Sequence, residues 1–105
     1  VADNELSKSL VAMAILGKMY VVRACEESPH EYNNERPIVA FANKDDAERM
    51  AVAAQTYASA CPVRGDDHTG SGILARMKYL QQNPHDPGET ANLFWVEEVI
   101  LAKDI

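Results

Sequence analysis

The period of the apolar positions changes at residue 42. Residues 38–42 (Ile-Val-Ala-Phe-Ala) are a short apolar run of strand length, entered through Pro37. From Ala47 onward the apolar residues recur at helical spacing, at Ala47, Met50, Ala51, Ala54, Tyr57 and Ala58. Asn43 stands between the two patterns, where an N-cap belongs, because its side-chain oxygen can accept from an amide that the first helical turn leaves unpaired. Asp46 takes the place of the Glu or Gln of a capping box, and Asp45 and Asp46 both suit the positive end of the helix dipole. The pattern predicts a strand running straight into a helix that extends to residue 60.

Around this unit the periods place the other elements. Residues 3–16 carry Leu6, Leu10, Met13 and Leu16 at intervals of four and three, with Gly17 available to end a helix. Residues 19–26 (Met-Tyr-Val-Val-Arg-Ala-Cys-Glu) favour a pleated surface and predict a strand. Residues 28–36 are polar and contain Pro29 and Asn33-Asn34, a pair that tolerates the positive φ of a tight turn, so the first strand is expected to fold back on residues 38–42 as a hairpin. Residues 61–72 are rich in turn formers, and a shorter helix over about 71–82 places Ile73, Leu74, Met77 and Leu80 on one side. Residues 83–88, with Pro84 and Pro87, exclude regular structure, and residues 93–102 predict the last strand.

These elements define an α+β fold. We expect a small three-stranded antiparallel sheet in the order 2-1-3, packed with a central helix, a shorter second helix and an N-terminal helix. Residues 1–18 read as an N-terminal helical extension and residues 19–105 as a single domain. The third strand falls at an edge, where charge or proline normally discourages pairing. Its apolar residues instead occupy both faces, with Leu93, Trp95, Val99 and Leu101 on one and Phe94, Val96 and Ile100 on the other. The second face therefore needs a cover, either the N-terminal helix or another copy of the chain, and a homodimer is expected.

Charge and composition narrow the partners. With 105 residues, 47% hydrophobic and 25% charged, the composition is that of a globular domain. Sixteen acidic against ten basic side chains give a net charge of −6, which argues against direct nucleic-acid binding and against an anionic membrane surface. The longest apolar run, residues 10–16, is far short of the ~20 residues that cross a bilayer. Asp3 and Glu5 precede that run, so it lacks the basic start of a signal peptide, and a cytoplasmic location is expected. Cys25 and Cys61 match no zinc or redox spacing and read as free thiols of a reducing compartment.

Several clusters could carry chemistry. Asp66-Asp67-His68, with His85-Asp86 across the short helix, could hold zinc or manganese or supply a general base, although no His spacing fits a known metal frame and the same residues serve as turn formers. Thr69-Gly70-Ser71-Gly72 before a helix could meet a phosphate, but lacks the Lys-Ser/Thr of a P-loop, and no cofactor is expected. The doublets Glu26-Glu27, Asp45-Asp46, Asp66-Asp67 and Glu97-Glu98 could imitate DNA phosphates. For contacts with a protein partner the candidates are His30 and Tyr32 in the hairpin loop and the Glu97-Glu98 doublet.

Three stretches resemble a known group. Tyr20-Val21-Val22, then Val39-Ala40-Phe41-Ala42-Asn43 with Asp46-Ala47-Glu48-Arg49, and a closing Trp95-Val96-Glu97-Glu98-Val99 are similar to small accessory proteins of bacteriophages and prophages. The resemblance covers residues 19–101. It implies a non-enzymatic protein that binds and modulates a host or phage component, and it brings no catalytic motif. A metal-binding protein or metal-assisted hydrolase built on Asp66, Asp67, His68 and His85 is the alternative, and an acidic nucleic-acid mimic is the second.

Overall fold

The computed structural model describes residues 17–27, 32–63 and 68–101. The helix expected over residues 3–16 lies outside them. Strand β1 (Lys18–Glu27) pairs antiparallel with β2 (Tyr32–Phe41) on one side and with β3 (Leu93–Ile100) on the other, giving the order β2-β1-β3. Between β2 and β3 the chain forms helices α1 (Lys44–Ser59) and α2 (Gly70–Gln81). The expected α+β class and the 2-1-3 order both hold.

The sheet's inner face follows from alternation along β1. Tyr20, Val22 and Ala24 are buried against Ala47, Ala51, Ala54 and Ala58 of α1, joined by Phe94 and Val96 from β3. Four alanines on one stripe keep the helix surface low, so α1 can lie close over the central strand. Asn43 starts the helix as expected, with its Oδ1 accepting from the Asp45 amide at 2.7 Å and the Asp46 amide at 3.4 Å. Asp46 does not close a capping box; its carboxylate pairs instead with Arg49, one turn along.

Helix α2 departs from its expected stripe. Only Leu80 of the four apolar residues is buried, while Leu74 is 67% and Met77 41% exposed. The helix meets the core through Gly72, Tyr79 and Leu80; Leu74 lies on the opposite side, and Ile73, two turns before Leu80 on the same side, is 37% exposed. Its main anchor is reciprocal. The Tyr57 hydroxyl donates to Tyr79 C=O at 2.8 Å, the Tyr79 hydroxyl donates to Tyr57 C=O at 2.6 Å, and the rings stack with centroids 4.5 Å apart.

Strand β2 also begins earlier than its apolar run. Asn33 and Asn34 belong to the strand rather than to a tight turn, and the positive φ of Asn34 (57°) serves an irregularity in the ladder between Ala24 and Glu26. A second register shift falls between Val22 and Arg23, where Ile38 is the extra residue and turns inward beside Val39. The irregular segment after α2 is held by buried polar groups. Asn83 donates to Ala54 C=O at 3.2 Å and accepts from the His85 amide at 3.0 Å, while buried Asp86 pairs with Arg36 of β2.

Candidate functional site

Which backbone groups of β3 are spent is decided by β1. Gly17 C=O accepts the Leu101 amide at 2.7 Å, and Cys25 C=O accepts that of Asn92 at 3.1 Å, so odd-numbered positions of β1 turn towards β3. In an antiparallel ladder these alternate with positions that turn away. Leu93, Trp95, Glu97 and Val99 therefore bond inward, and Phe94, Val96, Glu98 and Ile100 turn their backbone groups outward.

The outward amide of Phe94 is already engaged. It donates to Gln55 Oε1 at 2.9 Å, while Gln55 Nε2 donates to Asn92 C=O at 3.0 Å. One carboxamide of α1 thus fills the place of a neighbouring strand's peptide group, accepting and donating as a peptide does. Asn92 does the same on the inner side: its Oδ1 accepts the Glu27 amide at 2.7 Å and its Nδ2 donates to Glu27 C=O at 3.1 Å. Beyond Gln55, and among the described residues, the outward amides of Val96, Glu98 and Ile100 meet no acceptor.

The opposite edge is different. Even positions of β1 turn towards β2, so Pro37, opposite Arg23, stands where an outward amide would otherwise be. With its two register shifts and this proline, β2 carries the features that discourage strand addition. The β1–β3 ladder runs from Lys18/Ile100 to Cys25/Leu93 without a shift. Among the described residues β3 is the regular, unguarded edge.

Two carboxylates sit at its middle, one on each face. Glu97 projects on the outer face, where Arg23 Nε lies 3.4 Å from its carboxylate and 3.4 Å from that of Glu35. One guanidinium faces two carboxylates, and its buried Nε makes no hydrogen bond of good geometry. Glu98 projects on the inner face, 3.7 Å from Lys18 Nζ. The Lys18 pKa is raised, first by the Tyr20 hydroxyl and then by Glu98. Around them the outer face presents Met19, Leu93, Trp95 and Val99, all half-buried, and both described helices lie on the other face. Cys25 opens onto this outer side yet is only 1% exposed; burial, with Glu35 and Glu27 nearby, pushes its thiol pKa up.

Of the residues chosen from sequence, Glu97 and Glu98 meet at this edge. His30, Asp66, Asp67 and the Tyr32 side chain lie outside the described residues. His68 is exposed before α2, and half-buried His85 follows it, its amide tied to Asn83. Among the described residues no three His, Cys, Asp or Glu side chains gather as a metal site would need. Gln55 and Asn92 were not singled out by sequence, since a carboxamide that replaces a peptide group has no local signature. Among the described residues no helix is long and apolar enough to cross a membrane. Comparison with protein-family models, curated proteins and solved structures returns no match.

Proposed function

We propose that this chain is a non-enzymatic protein-binding module that acts by adding a partner's extended segment to the open edge of β3. The observation that carries the reading is the run of outward amides at Val96, Glu98 and Ile100, beside an opposite edge guarded by Pro37 and two register shifts. Strand addition gives affinity through main-chain hydrogen bonds and specificity through alternate side chains. The resemblance to phage and prophage accessory proteins supports a host or phage component as the partner, with the module as its modulator or inhibitor in the cytoplasm.

Amide hydrogen exchange tests the reading. In the free protein Val96, Glu98 and Ile100 are expected to exchange far faster than Trp95, Glu97 and Val99, whose amides bond to β1. Slow exchange at all six positions would mean that the edge is already filled, and the reading would fall.

A homodimer is the second reading, placed on the outer face rather than on the edge. Its support is the apolar surface of Met19, Leu93, Trp95 and Val99, which no described helix covers. Light scattering at tens of micromolar is expected to give twice the 11.6 kDa chain mass; the single mass refutes it.

A further inference from the structure

We infer that the segment added at β3 carries two adjacent basic residues flanked by apolar ones, which pair with Glu97 and Glu98. This inference rests on the proposed strand addition and names its partner's chemistry.

The pattern follows from the pleat. Consecutive residues of a strand face opposite sides, so the neighbours of Glu97 and Glu98 on an added strand are themselves consecutive, one on each face. On the outer face, the single guanidinium of Arg23 leaves one of the carboxylates of Glu35 and Glu97 uncompensated, and a cation opposite Glu97 completes the balance. On the inner face, Glu98 has more than half of its side chain exposed (53%) and meets Lys18 at 3.7 Å, which leaves an oxygen open to a second donor. To either side the added strand runs past Val96 and Ile100 on the inner face and past Val99 on the outer, with Trp95 just beyond its start. Ile100 is 79% exposed, so an apolar residue opposite it removes a large hydrocarbon from water. The segment's start is also fixed. Gln55 occupies Asn92 C=O and the Phe94 amide, so pairing begins at Val96.

A second copy of the chain fits this edge poorly. A two-fold antiparallel pairing that uses the whole run 96–100 centres on Glu98, with Val96 opposite Ile100 of the copy, and brings Glu98 against itself. Like charges directly opposed across strands are destabilising. The net charge of −6 adds a long-range repulsion between copies and an attraction for a basic segment.

The test uses the full chain and four synthetic octapeptides of alternating Thr and Val. One has Lys-Arg at its centre, one Glu-Glu and one Gln-Gln; the fourth is the Lys-Arg peptide with alternate amides methylated. Titration is followed by fluorescence anisotropy and by amide exchange at Val96, Glu98 and Ile100. The Lys-Arg peptide is expected to bind, to protect these amides, and to weaken with added salt. Glu97→Gln and Glu98→Gln, both on exposed side chains that leave the core intact, are each expected to weaken it by about fivefold. Equal binding of all three unmethylated peptides overturns the basic preference and leaves strand addition standing. Equal binding of the methylated peptide overturns strand addition in favour of simple charge attraction. Protection of the three amides before any peptide is added overturns both, and no binding of any peptide to a freely exchanging edge overturns the inference alone.

Discussion

Replacing Gln55 with leucine keeps the shape of the α1 surface but removes the carboxamide's bonds to Phe94 and Asn92, together with a third to the exposed Ser59 hydroxyl. The amide of buried Phe94 then has no acceptor and Asn92 C=O loses a donor. Leaving a buried donor unsatisfied costs about 1–3 kcal/mol, and a matching drop in urea-unfolding free energy is expected. Asn43→Ala removes the α1 cap and is expected to cost about 1 kcal/mol in the same measurement, whereas Asn43→Asp keeps the acceptor and changes little. At Cys25 the raised pKa means that the folded chain holds a proton that the unfolded chain releases. This contribution to stability is therefore whole below the ordinary thiol pKa and is lost as pH rises through the folded value. Cys25→Ala is expected to flatten the alkaline part of the stability profile. Iodoacetamide is expected to label half-buried Cys61 well before Cys25.

At the scale of the elements, sequence period located all three strands and both described helices, most firmly β1 and α1, which bury regular faces. It failed where burial is irregular. The apolar residues of α2 suggested a stripe, but a helix held mainly by the Tyr57–Tyr79 pair contacts the core over a narrow side, and hydropathy does not say which side. The first half of β2 is polar because those residues lie at an edge, so Tyr32 to Arg36 read as loop. Asn83 and Asp86 were illegible as core residues, since a buried polar group is defined by partners distant in sequence, such as Ala54 and Arg36. The candidate site divided the same way: the odd composition of β3 marked the edge, while Gln55, 37 residues from Asn92, gave no sign of limiting it. The tyrosine pair offers a test. Tyr57→Phe and Tyr79→Phe each remove one bond of about 0.5–1.5 kcal/mol. The double variant is expected to lose less than the sum of the two, because freeing one ring already loosens its stack, and α2 amides should exchange faster than those of α1.

For the molecule as a whole, the sheet's two borders are unequal. Growth of a β-fibre needs each unit to accept at one border and to offer at the other. Of the two described edge strands only β3 is regular enough to accept, because β2 is broken by two register shifts and lacks an amide at Pro37. The protein therefore has a valency of one for strand addition. Among the described residues, a complex formed through β3 has no second open border contributed by this chain, so propagation stops with the first addition, and the molecule acts as an end group rather than a link in a polymer.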